Sequence, residues 1–106
     1  KRVALEVAGA RILSAECDNG RIALPELLDD LGAEGLSSII VEGGASVAKS
    51  FMNQNLADRI VLFTSNTVVG GSAIASPLDP AHIPPEFELV GDWSLGPDHR
   101  RDYVKA

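Results

Sequence analysis

The sequence predicts an α/β fold, with a mostly parallel sheet flanked by helices and closed by a C-terminal antiparallel hairpin. Three observations predict it. Strand-like and helix-like segments alternate as β-α-β-α-β through the middle of the chain, and their connections are too long for hairpins. Such connections favour parallel strands joined by right-handed crossovers. The run Ile39-Ile40-Val41 is continuously apolar and β-branched, which is the character of a strand covered on both faces. Near the C-terminus, two strand-like runs flank Gly96-Pro97-Asp98, which is turn chemistry.

The elements follow in order. Residues Lys1 to Ala8 have helical composition, with Val3, Ala4, Val7 and Ala8 on one stripe and Gly9 as a C-terminal cap. Arg11 to Ala15 reads as a short strand and Asp18-Asn19-Gly20 as a turn. Leu24, Leu27, Leu28 and Leu31 recur at helical spacing, with Pro25 in the first turn and Gly32 or Gly35 at the end. Ser38 to Val41 reads as a strand stopped by Gly43 and Gly44. Ala45 to Asn55 reads as a helix burying Ala45, Ala48, Phe51 and Met52. Leu56 to Ser65 reads as a strand centred on Ile60 to Phe63. Asn66 to Pro85 holds Gly70-Gly71 and four prolines and reads as a long loop. Glu86 to Trp93 and Asp102 to Val104 form the closing hairpin.

The bulk properties narrow the function. The chain has 106 residues, of which 45% are hydrophobic, so a packed core is expected. Its net charge of −6 argues against a nucleic-acid partner, which needs a basic surface, and against a polybasic membrane anchor. No apolar run reaches transmembrane length. The single cysteine, Cys17, permits no internal disulfide and fits a reducing cytoplasm. One cysteine and the distant His82 and His99 supply no metal-binding spacing. Three parallel strands and a hairpin leave open edges, so more sheet is expected to be missing from the chain or supplied by a partner.

The segment that can carry chemistry is Val41-Glu42-Gly43-Gly44-Ala45, a strand, a glycine turn and a helix start. Glycines let a ligand approach the backbone without a Cβ in the way. The first N–H groups of the helix and the positive end of its dipole form an anion site suited to a pyrophosphate. Ser46 adds a hydroxyl. The same residues also fit a tight turn that uses glycine for geometry alone, since G-x-G-x-x-G is not present. Glu42 reads either as a substrate hydrogen-bond acceptor or as a solvated strand end. Gly70-Gly71 is a second glycine pair that either touches a ligand or merely bends a loop. Lys49 reads as part of a solvated face, Asp58-Arg59 as the entry to a strand, Arg100-Arg101 as too short for a nucleic-acid patch, and Trp93 and Tyr103 as core or interface.

These motifs together resemble the reductase domain of the bifunctional riboflavin-biosynthesis deaminase/reductase. The resemblance runs from Leu24-Pro25-Glu26-Leu27-Leu28 through Ile39-Ile40-Val41-Glu42-Gly43-Gly44-Ala45 and Phe51 to Asp58. It continues through Val68-Val69-Gly70-Gly71 to Gly96-Pro97-Asp98. Asn66-Thr67 departs from it, because the family often has a proline and a basic residue there. The resemblance implies a dihydrofolate-reductase-like fold, of which residues 1–106 are the C-terminal half, without the front half of the domain or the zinc deaminase. The deaminase signature needs more cysteines than Cys17.

It also implies NADPH as cofactor, with Gly43, Gly44, Ala45, Ser46, Val47, Ala48, Lys49 and Ser50 binding it. Glu42 contacts the substrate, Gly70 and Gly71 are a loop contact, and the chemical step has no assigned residue. The implied reaction reduces 5-amino-6-(5-phosphoribosylamino)uracil to its ribityl form. A homodimer, a cytoplasmic location, a cis Gly43–Gly44 peptide bond and inactivity of the isolated segment are further expectations. Two other readings stay open: a related reductase with another small substrate, and a non-catalytic α/β dimerisation module.

Overall fold

The computed structural model describes residues 1–106 as two compact units, Lys1–Ile39 and Ile40–Ala106. In the first unit, helix α1 spans Arg2–Val7 and stops at Gly9, whose φ of 94° suits glycine. The two-residue strands β1 (Cys17–Asp18) and β2 (Arg21–Ile22) pair antiparallel. Asn19 and Gly20 join them, both at positive φ, as a two-residue hairpin loop requires. Helix α2 spans Leu24–Ala33 with Pro25 in its first turn. Of its two possible terminators, Gly35 is used: it has a φ of 92°, and Leu36 N–H closes back on Leu31 O at 3.1 Å. Gly32 stays inside the helix.

The second unit holds helix α3 (Ala45–Asn53) and the strands β3 (Arg59–Thr64), β4 (Phe87–Leu95) and β5 (Asp98–Lys105). The four residues expected on the buried stripe of α3 are all withdrawn from solvent, and Ser50 is partly withdrawn as well. Phe51 is buried and Ala45, Ala48 and Met52 are partly so. Asn55, at a φ of 57°, ends the helix, and Leu56 N–H returns to Phe51 O at 3.0 Å. Residues 65–86 form no helix or strand, as the glycines and prolines predict. No helix is long and apolar enough to cross a membrane.

The sheet corrects the expected topology. Its order is β3-β5-β4, and both pairings are antiparallel. Connection length shows that β3 and β4 are not a hairpin, but it does not show which strand takes the place beside β3. Strand β5 does. The segments Arg11 to Ala15 and Ser38 to Val41 are not strands either, because a strand needs a hydrogen-bonded neighbour and neither has one here. Ile40 is 86% exposed, the opposite of the doubly covered strand its apolar neighbours predict.

The two sheet faces differ. Directly opposed residues share a face, so Ile60, Tyr103 and Leu89 lie together, with Phe87 and Leu62 beside them. Phe87 and Tyr103 are buried, so the core of this unit lies on that side. The other face carries Val61 opposite Asp102 and Gly91, and Phe63 opposite Arg100 and Trp93. A register shift between Leu89 and Gly91 sends these two residues to opposite faces. Asp102 is fully buried and accepts hydrogen bonds from Arg100 Nε and Nη2, both at 2.8 Å, and from Arg59 Nη2. The Arg100 guanidinium stacks 5.0 Å from the Trp93 ring centroid. That ring occupies the space a side chain at Gly91 would need, with Cη2 only 2.0 Å from an ideal Cβ there.

Candidate functional site

The glycine turn lies within the second unit, between the apolar run and α3. Gly44 caps the helix at φ 68° and ψ 147°, close to a backbone region that essentially only glycine occupies. Gly43 has no such constraint, and a Cβ on either residue would meet no atom within 4 Å. Gly44 is therefore required by backbone geometry. Gly43 is required by neither geometry nor a neighbour within the chain. All peptide bonds are trans, including Gly43–Gly44.

The helix start separates the eight proposed cofactor residues into two groups. The first helical hydrogen bond here runs from Ala48 N–H to Gly44 O at 3.2 Å. The amides of Ala45 and Val47 therefore lie ahead of the backbone ladder, where a ligand can use them. No side chain caps the helix. From Ala48 onward the backbone donors serve the helix, so Lys49 and Ser50 reach a ligand only through side chains. The Ser50 hydroxyl already donates to Ser46 O at 3.0 Å. Lys49 is exposed and ion-paired to nothing. Glu42 is also exposed and makes no hydrogen bond or ion pair. Gly70 and Gly71 sit in the exposed loop. Gly70, at φ 93°, accepts a hydrogen bond from Ala73 N–H at 3.3 Å, and the space over both glycines is open.

The cluster around Asp102 escaped the sequence reading. Arg59 reads only as part of a strand entry, Arg100 only as half of a pair too short for a nucleic-acid patch, and Trp93 as core or interface, with 47% of it exposed. The usable signal was the i, i+2 spacing of Arg100 and Asp102, which places both on one face of a strand. The bidentate Arg100 contact holds the Asp102 carboxyl at about 2, below its ordinary 3.8. Burial opposes the shift and Arg59 reinforces it. In the long loop, the backbone amide of Ala81 and the His82 ring lower the Asp79 carboxyl. Asp79 Oδ2 lies 2.6 Å from His82 Nδ1.

Comparison with known proteins identifies the family. The model of the RibD C-terminal domain matches residues 1–99. The chain belongs to the RibD C-terminal domain family. It is 34% identical over 103 residues to the riboflavin biosynthesis protein RibD of Bacillus amyloliquefaciens, covering 92% of this chain and 27% of that protein. It is 27% identical over 101 residues to the RibD of Actinobacillus pleuropneumoniae, covering 91% of this chain and again 27% of the relative. The chain thus spans about a quarter of the length of these relatives. Two solved structures of Acinetobacter baumannii RibD, form 2 and form 1, share the fold, each with a TM-score of 0.76. They are 21% and 23% identical, over all of this chain and 29% of theirs. The resemblance read from the Val-Glu-Gly-Gly block and its neighbours therefore names the right family.

Proposed function

We propose that this chain supplies the cofactor-binding side of a reductase in riboflavin biosynthesis. The reaction is the NADPH-dependent reduction of 5-amino-6-(5-phosphoribosylamino)uracil to its ribityl form. The observation that carries this reading is the Gly43-Gly44 turn. It combines a glycine-only backbone at Gly44, open space over both glycines, and the helix amides of Ala45 and Val47 ahead of the ladder. A pyrophosphate fits that arrangement, since it needs backbone donors and a positive dipole end. The family membership of residues 1–99 supports the reaction class.

When bound, NADPH supplies the hydride that reduces the sugar C1, and a proton completes the reduction. The chain's own residues bind and orient. Gly43 and Gly44 admit the pyrophosphate, Ala45, Ser46 and Val47 hold it, and Lys49 and Ser50 contribute side chains one turn along. Glu42, exposed and unpartnered at the mouth of the turn, accepts a hydrogen bond from the substrate. Gly70 and Gly71 are a further loop contact. We place the domain in the cytoplasm as a homodimer within a dihydrofolate-reductase-like fold, of which residues 1–106 are the C-terminal half. Sedimentation of the intact protein as a monomer would remove the dimer from this reading.

The test is thermal protection of the intact protein by NADPH, with NADH alongside. Protection that disappears in Gly44→Val supports the cofactor turn. Equal protection of wild type and variant, or none at millimolar NADPH, refutes it. Glu42→Gln, assayed with the uracil substrate, is expected to raise KM while leaving NADPH protection intact.

A further inference from the structure

The face of the sheet opposite its core carries an arrangement unrelated to the glycine turn. Two guanidiniums converge on one carboxylate. Arg100 alone satisfies both Asp102 oxygens through a bidentate fork, and Arg59 adds a third hydrogen bond to the same group. The cluster therefore holds one positive charge more than Asp102 neutralises, in a chain whose net charge is −6. That excess charge is accessible, with Arg59 57% and Arg100 38% exposed.

The donors are also held in place. A guanidinium offers five N–H groups in a rigid fork. Arg100 uses Nε–H and one Nη2–H on Asp102, which leaves three N–H groups on Nη1 and Nη2. Arg59 uses one Nη2–H, which leaves four. A fully buried carboxylate fixes both groups, and the Trp93 ring fixes the plane of Arg100 from the side. Free arginines lose side-chain entropy on gripping an oxyanion, and here much of that ordering is already complete. Directly across the ladder from Arg100 lies Phe63, 62% exposed, an apolar surface beside the guanidinium.

We propose that Arg59 and Arg100, held by Asp102, bind the phosphoryl group of a small phosphate ester whose organic part rests on Phe63. Paired forks suit the oxygens of a phosphate. The ligand is small because Glu88 and Asp98 lie on the same face and repel an extended polyanion. This site does not depend on the cofactor reading, and its test involves no NADPH.

Trp93 is the only tryptophan, so its fluorescence reports on the cluster. The chain is titrated with inorganic phosphate and separately with phenyl phosphate, against potassium chloride at matched ionic strength. A saturable change with both phosphates, absent with chloride, is expected, with phenyl phosphate the tighter ligand. Arg59→Gln, with unchanged circular dichroism, should bind phosphate about tenfold more weakly, the worth of one charge-assisted hydrogen bond. Phe63→Ala should remove only the advantage of phenyl phosphate. Should Arg59→Gln fail to fold, Arg59→Lys keeps the charge without the fork, and an intermediate loss is expected. No saturable change, an equal response to chloride, or wild-type affinity in the Arg59 variant overturns the proposal.

Discussion

At the scale of single residues, two glycines do different work, and their substitutions separate it. Gly44 is held at positive φ with open space around it. Gly44→Val is therefore expected to strain the backbone by about 1–3 kcal/mol, a loss readable as a lower denaturant midpoint. Gly91 is limited by space instead. Gly91→Ala drives a methyl into the Trp93 ring and should cost about 1–3 kcal/mol, together with a change in Trp93 emission. Asp102 governs the acid limit. Its carboxyl sits at about 2 when folded and near 3.8 otherwise. Its contribution to stability is complete above the higher value and is lost as pH falls through the lower. Acid titration should show stability declining between roughly pH 4 and pH 2, and Asp102→Asn should flatten that decline. The glycine turn was legible in the sequence because its residues are consecutive. The Asp102 cluster was not, because Arg59 and Asp102 are 43 positions apart and meet only through strand pairing.

At the scale of elements, α3 was the most legible. Its apolar residues fall at helical spacing and its ends carry glycine and asparagine, so the start and the buried stripe were readable and the end was off by two residues, at Asn53 rather than Asn55. Phe51 is the most enclosed member of that stripe. Phe51→Ala should cost about 3 kcal/mol, measured by urea denaturation. The strands were less legible. Apolar composition located Arg59–Thr64 and the closing hairpin, but it also marked Ser38 to Val41, which has no ladder partner. Alternation along β4 was misleading too. Phe87, Leu89, Trp93 and Leu95 all occupy odd positions, yet the register shift divides them between two faces. A bulge depends on the opposing strand, and that strand is remote in the sequence.

At the scale of the whole molecule, the α/β class and the family were readable, and the direction of strand pairing was not. Family likeness depends on short motifs, whereas sheet order depends on which distant segments meet. In the proposed function, residues 1–106 contribute the cofactor turn and one substrate acid, and the front half of the domain contributes the rest of the site. By themselves residues 1–106 are expected to give no steady-state turnover with NADPH and the uracil substrate. Measured turnover would refute that expectation.

The strand order has a consequence for biosynthesis. β5 is the middle strand of the sheet, yet it follows both of its neighbours in the chain. A nascent chain emerging from the ribosome exposes β3 and β4 with no partner until Asp98–Lys105 clears the exit tunnel. The sheet must therefore close late, and until then its apolar strands depend on chaperones or on speed to avoid pairing with other chains. A stop codon after Leu95 should leave α3 without a sheet and send the product to aggregation or proteolysis.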